Sequence, residues 1–209
     1  MAYQNKGAAM RKPRSEMIVE TKAKLVAAGR KAFGTVGYAE ASMDDFTASA
    51  GLTRGALYHH FGDKKGLLQA VINEIDLEMA TRLRAISNNA VDPWQGFVDE
   101  NAAYIEMALE PEIQRIMFRD GPAVFGDPSG WPNASGCIKA VTQCLDGLLA
   151  NGIIIEIDTE AGARLINAAS SSAAQWIANS SEPETTSKRA VKAFRIFLEG
   201  LLFPRKRNL

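Results

Sequence analysis

Apolar residues recur every three or four positions along almost the whole chain, the period of a helix with one buried stripe. Over residues 15–33 the stripe is Ile18, Leu25, Ala28, Ala32 and Phe33, with charges between, and Gly34 and Gly37 close the segment. Ser42-Met43-Asp44-Asp45 reads as a capping box with Asp in place of Glu, and Ala50-Gly51-Leu52 breaks its helix after about two turns. Thr53 caps a second short helix to about residue 60. Asp63 opens a long one to about residue 87, with Leu67, Leu68, Val71, Ile75, Leu77 and Leu83 on or near its buried face. Asp92-Pro93, a cap followed by proline at the first helical position, begins a helix to about residue 109. Pro111 starts another through Ile113, Ile116, Met117 and Phe118, and residues 120–136, rich in proline and glycine, read as mainly loop with a helical turn. Further helices are expected at 135–151, 159–179 and 183–203. The run Ile153-Ile154-Ile155-Glu156-Ile157 has strand composition but no plausible partner strand, so it reads as a buried connector or a helix extension. The expected fold is all-α, about nine helices.

Composition fits a folded domain, with 46% apolar and 23% charged residues. No apolar run approaches the roughly 18 residues of a membrane span. The basic first residues lack the apolar core of a secretory signal, so a cytoplasmic location and no membrane partner are expected. Cys137 and Cys144, two turns apart on one helix face, cannot bond to each other; small buried apolar residues are the default reading and redox sensing the sharper one. His59 and His60 point about 100° apart and have no acidic or thiol cluster beside them, so no metal site and no cofactor are expected. No glycine-rich phosphate loop or nucleophile elbow is present, and Asp99-Glu100 and Glu110/Glu112 read as solvated acids, so the chain is not read as an enzyme.

Net charge is zero, but the zero is an average. Residues 1–65 carry eleven basic and six acidic side chains, net +5, and residues 66–209 carry 13 and 18, net −5. A basic head on an acidic body points to a polyanion partner for the head.

Residues 42–61, SMDDFTASAGLTRGALYHHF, have the physics of a helix-turn-helix. Ala48 and Ala50 are small enough to let the helices approach, Gly51 supplies a positive φ, and Phe46, Leu52 and Leu57 supply the internal core. Thr53, Arg54, Gly55 and Ala56 then stand at the exposed start of the second helix, the end that meets base edges in a major groove. Arg54 has the fork suited to guanine, while Gly55 and Ala56 allow close approach and methyl contact.

Gly37-Tyr38, Ser42-x-x-Asp45, Ala50-Gly51-Leu52-Thr53-Arg54-Gly55, Leu57-Tyr58-x-His60-Phe61 and Lys64-x-x-Leu67 together closely resemble the DNA-binding head of the TetR family of transcriptional regulators, over about residues 15–70. Phe46 departs from the usual isoleucine, and Thr47 and Ser49 from small apolar residues. The resemblance implies that Ser42, Tyr58, His60 and Lys64 clamp phosphates, that Thr53, Arg54, Gly55 and Ala56 face bases, and that His59 does either. It also implies a helical body that dimerises and binds an effector.

Three parts are therefore expected: a basic arm (1–14), a three-helix reading head (15–62) and a larger helical-bundle body (63–209). The arm, with Lys6, Arg11, Lys12 and Arg14, is either a tail or a segment lying along DNA. In the body, Leu165, Ala169, Trp176, Val191, Phe194, Leu198 and Leu201 form a broad stripe on the last two helices, read as a homodimer interface or as ordinary monomer core. Trp94, Phe97, Tyr104, Met107, Met117, Phe118, Phe125 and Trp131 are candidates for a ligand pocket. Arg115 and Arg119, one turn apart, either meet an acidic ligand or face water. The expected function is a homodimeric repressor on a pseudo-palindromic DNA operator, released when a small-molecule inducer shifts the long helix that starts at Asp63. The alternative is a small-molecule-binding or scaffolding helical protein that has lost operator recognition.

Overall fold

The structure, a computed structural model, describes residues 13–132 and 134–203. The basic arm up to Lys12 and the cluster Arg205-Lys206-Arg207 lie outside the described residues. Within them the chain is all-helical. The head holds α1 (Arg14–Val36), α2 (Met43–Ser49) and α3 (Arg54–Phe61), and α4 (Lys64–Asn88) leads into the body. The body continues with α5 (Pro93–Glu106) and α6, an interrupted helix made of Pro111–Arg115, a π-helical turn Ile116–Asp120 and Gly121–Phe125. It ends with α7 (Ala134–Ala150), α8 (Thr159–Ala178) and α9 (Pro183–Glu199), giving nine helices among the described residues.

Most helices start where a short polar side chain can accept an otherwise unpaired N–H. Ser42 Oγ accepts from Asp45 N (3.3 Å), Thr53 Oγ1 from Ala56 N (3.2 Å), Asp63 Oδ1 from Gly66 N (2.6 Å) and Asp158 Oδ1 from Ala161 N (2.9 Å). Asp92 caps α5 in the same way, with Pro93 next to it.

The helical turn expected within the mainly loop stretch 120–136 is Gly121–Phe125, and it continues the helix before it. Pro122 has no N–H to donate and its ring crowds the carbonyl four residues back, so the chain widens by one residue and Gly121 N–H bonds to Ile116 O. The helix then restarts and runs to Phe125. At the C-terminus α9 stops before residue 200, earlier than its apolar pattern suggested. The chain beyond it pairs with the isoleucine run: Ile155 N–H donates to Leu201 O (2.9 Å) and Phe203 N–H to Ile153 O (3.1 Å). That run is a connector, with Ile154 buried and bridged antiparallel to Leu202.

The buried apolar side chains form one continuous core through head and body. It includes Leu25 and Phe33 of α1, Leu67, Leu68 and Val71 of α4, and Ile105, Ile116, Leu145, Ile166 and Leu198 of the body. Ile18 and Leu77, expected on buried stripes, are exposed.

Polar ties cross the same junction. Arg30 of α1 is held by three carboxylates: Glu74 (3.0 Å) and Glu78 (2.7 Å) of α4, and Glu112 (2.8 Å) of α6. These hydrogen bonds raise the guanidinium pKa and draw the Glu78 carboxyl below its ordinary value. Three of the four acids read as solvated are ties of this kind: Asp99 pairs with Arg195, Glu110 with Arg82 and Glu112 with Arg30.

Candidate nucleic-acid interface and body cavity

The turn between α2 and α3 is built by local bonds. Gly51 sits at φ +68°, a conformation that costs a side chain strain, and Leu52 N–H reaches back to Thr47 O (2.9 Å). Phe46 and Leu57 are buried beneath it, and Phe46 meets the Phe33 ring edge-on at 5.9 Å. Ala48, expected between the helices, is exposed. The inward position belongs to Thr47, whose hydroxyl is satisfied by Met43 O (2.7 Å) and so can replace an apolar side chain there.

Helical geometry then sorts α3 into faces. Leu57 points inward, Ala56 and His60 lie half-buried at the flanks, and Arg54, Gly55, Tyr58 and His59 share the exposed side with the cap Thr53. Arg54 is not free on this side. Its guanidinium donates to the Tyr58 hydroxyl (3.1 Å) and lies 3.3 Å from Asp44 Oδ2, with Cζ 5.7 Å from the Tyr58 ring centre. Asp44 was not singled out in the sequence, because its partner stands ten positions away across the turn.

His59 and His60 stack edge-on at 5.0 Å. Slight burial and the neighbouring charges of His59 and Lys22 lower the His60 pKa. Ser42 is exposed beside the start of α2. Lys64, half-buried, donates to Ala39 O (3.3 Å) and lies 4.7 Å above the Tyr38 ring. Burial lowers its pKa, offset in part by Glu40 and Asp120.

In the body, α4 to α8 enclose a cavity of about 80 Å³. Of the expected pocket residues, Tyr104, Met117, Phe118 and Trp131 line it. Tyr104 and Phe118 meet edge-on at 5.9 Å. Trp131 lies over Gly121 so closely that a Cβ there would come within 2.6 Å of the indole. The other expected residues lie elsewhere. Phe97 lines a separate cleft of about 260 Å³ beside Cys144, with Trp94 packed against it, and Met107 is plain core. Phe125 packs on Trp131, with the Lys65 ammonium 5.1 Å from its ring centre.

The polar lining was not anticipated: Gln69 and Asp76 from α4, Asn167 and Ser171 from α8. Each is a single polar residue on a helix face, a pattern no different from solvated positions. Tyr104 and Ser171 share a hydrogen bond (3.2 Å) across the cavity. Cys137, expected to be buried, lines the cavity yet is exposed, as is Cys144.

The interrupted helix α6 touches three things at once. Met117 and Phe118 form cavity wall. Arg119 Nε donates to Ala178 O (2.7 Å), closing the C-terminus of α8. Asp120 Oδ2 accepts from Tyr38 N (2.7 Å), and the Arg115 guanidinium donates to Thr35 O (2.8 Å), both at the joint between α1 and α2. Neither arginine lines the cavity; Arg119 is exposed and Arg115 half-buried, each tied to a backbone carbonyl.

On α8 and α9, Val191, Phe194 and Leu198 are buried within the protomer, and Leu201 is half-buried. The exposed apolar residues are Leu165 (65%), Trp176 (48%), Ile196 (59%) and Phe197 (52%), more than a solitary surface normally leaves on two adjacent helices. Ala169 and Ala173 floor a shallow groove with Phe194 between Trp176 and Phe197.

A helix-turn-helix with an exposed reading face, joined to a helical body with its own cavity, defines the class of DNA-binding regulators. The profile described as bacterial regulatory proteins, tetR family, matches residues 25–71, and that of the tetracyclin repressor-like C-terminal domain matches residues 94–201. The chain belongs to the TetR family of transcriptional regulators.

A crystal structure of a TetR-family transcriptional regulator from Pectobacterium atrosepticum is 48% identical, covers 93% of this chain and all of that one, and superposes with a TM-score of 0.85. The HTH-type transcriptional repressor AcnR of Corynebacterium efficiens is 28% identical over 102 residues, 49% of this chain and 53% of its own length. The regulator TtgR of Pseudomonas putida is 37% identical over 75 residues, 35% of this chain and 36% of its own. The matched segment thus spans about half or less of these curated relatives.

Proposed function

We propose that the chain is a homodimeric repressor that binds a pseudo-palindromic operator and is released by a small molecule held in the body cavity. Residues 15–62 act as the reading head and 63–209 as the dimerising, sensing body. In this reading Arg54 leaves Asp44 and Tyr58 to read a base, with Thr53, Gly55 and Ala56 beside it. Ser42, Tyr58, His59, His60 and Lys64 hold phosphates. Leu165, Ala169, Trp176 and Phe197 meet a second copy, and the protein works in the cytoplasm, where its DNA is.

One observation carries the coupling: the segment that walls the cavity with Met117 and Phe118 also holds Tyr38 through Asp120. A ligand that displaces this wall pulls on the α1–α2 joint. It also bears on α4, which contributes Gln69 and Ile72 to the lining and begins at Lys64 beside the DNA face. Two heads need to meet half-sites about 34–36 Å apart, so a small rotation at either joint suffices to lose one. The ligand acts only through its preference between states, and reversing a 99:1 equilibrium takes about 5.5 kcal/mol of preference.

Selecting bound duplexes from a random pool at stated salt tests the reading. A two-fold site with half-sites one helical turn apart is expected. Binding with no sequence preference would favour the scaffolding alternative.

A further inference from the structure

We infer that Asp44 is a latch on the base-reading arginine: in the free protein it restrains Arg54, and operator binding has to break this pair before Arg54 can reach a base. This rests on the reading of Arg54 as the base contact, and adds to it the residue that sets how readily the contact forms.

The latch follows from how the turn folds the head. Ser42 Oγ already accepts from Asp45 N, so the cap of α2 is filled and the Asp44 carboxylate stands exposed in the helix's first turn. The turn at Gly51 brings the start of α3 beside it, and Arg54 Nη1 lies 3.3 Å from Asp44 Oδ2. Arg54 Nη2 donates to the Tyr58 hydroxyl one turn along α3 (3.1 Å), and the cation lies over the Tyr58 ring. Arg54 is the first residue of α3, where the helix's own partial positive charge gives a cation no support. Its rest position is therefore set by Asp44 and Tyr58.

These two partners take the groups that reading needs. A bidentate grip on guanine O6 and N7 draws on the donors of the fork, and each terminal nitrogen here already has a protein acceptor. The pair is open to solvent, with Arg54 46% and Asp44 68% exposed, so DNA can reach it and break it. Breaking it leaves Asp44 a carboxylate without its cation on a face turned toward a polyanion. Guanine repays that cost with two acceptors at the spacing of the fork. On a duplex with no guanine in that place the exchange gains nothing over Asp44, and Arg54 stays where it is. The cost thus falls on the operator complex, where Arg54 is used, and Asp44 holds operator affinity below what the reading face alone would give.

Fluorescence anisotropy at one stated salt, on the selected operator and on a random duplex, compares the parent with Asp44→Asn, Arg54→Ala and the double variant. Asp44→Asn keeps the shape and removes the charge. It should tighten operator binding about two- to fivefold beyond any gain on random duplex, the range of an exposed ion pair. In the Arg54→Ala background the same substitution should gain no more on operator than on random duplex, because only general repulsion between carboxylate and phosphate is left to remove. Thermal melts establish that the variants are folded. Should Asp44→Asn not fold, Asp44→Ala, which leaves no acceptor at all, carries the same test with the same expected pattern. Equal operator gains with and without Arg54 would mean that Asp44 merely repels DNA, and would overturn the latch. Weaker operator binding by Asp44→Asn would mean that Asp44 orients Arg54 for the base, and would overturn it too. If Arg54→Ala costs nothing on the operator, the base-reading role of Arg54 falls and the latch with it. If Arg54→Ala costs affinity and Asp44→Asn restores none to the parent, the latch alone is overturned.

Discussion

The reading face of the head and the cavity of the body are built at different ranges of the chain. Thr53, Arg54, Gly55, Tyr58 and His59 lie within seven consecutive residues and are held by bonds that reach three to ten positions. The cavity gathers residues from Gln69 to Ser171 and depends on five helices packing correctly. A change on the reading face alters what is touched while sparing the core. A change in the cavity lining alters the core as well. Substitutions can therefore change the exposed face of the head one residue at a time, whereas a change of the body's cavity lining is tied to stability. The joint between them is where the two regimes meet, at Arg30 and at the Asp120–Tyr38 bond.

Leu57→Ala in the head and Ile105→Ala in the body give the largest expected effects. Both side chains are fully buried, and each truncation should cost about 2–5 kcal/mol. Because one core runs through both regions, thermal melts of either variant should stay a single transition. Two separated transitions in Leu57→Ala would show that the head unfolds independently.

Arg30→Met removes the partner of three carboxylates and should cost roughly 1–2 kcal/mol by denaturant titration at neutral pH. The pH dependence has a definite sign. Glu78 titrates below its ordinary 4.5 in the folded state, so its share of the stability is present above that value and is lost as pH falls through the lowered one. The gap between Arg30→Met and the parent should narrow in acid.

Arg54→Ala should weaken operator binding on the order of tenfold while leaving random duplex nearly unchanged. Equal losses on both would move Arg54 from base reading to phosphate holding. The smallest change is expected from Lys64→Ala, which should weaken both duplexes alike and reduce the slope of affinity against salt by about one. A loss confined to the operator would remove Lys64 from the phosphate group.

Much of the head was legible because caps and turns are local. Ser42, Gly51, Thr53 and Asp63 each act on N–H groups or backbone angles within three residues. The direction a side chain faces is not local in that sense. Ala48 and Thr47 differ by one position, and only the place of α1 beneath them decides that Thr47 goes inside. The same limit applied to Leu77, and to Val191, Phe194 and Leu198, where a broad apolar stripe did not say which part serves the protomer and which lies exposed. That the turn at 121–125 continues the preceding helix was not legible, because Gly and Pro signal a break, while here a π-helical turn absorbs the proline.

From sequence alone came the all-helical class, the helix starts, the tight turn and the residues at the exposed start of α3. Hydrophobic period and capping chemistry set these over a few residues, whatever the rest of the chain does. Packing decided the remainder: that Arg54 rests on Asp44, that Arg115 and Arg119 tie helices together, and that Asp76 shares a cavity with aromatic rings. Those relations join residues far apart in the chain, and they exist only once several helices have buried their apolar faces against one another.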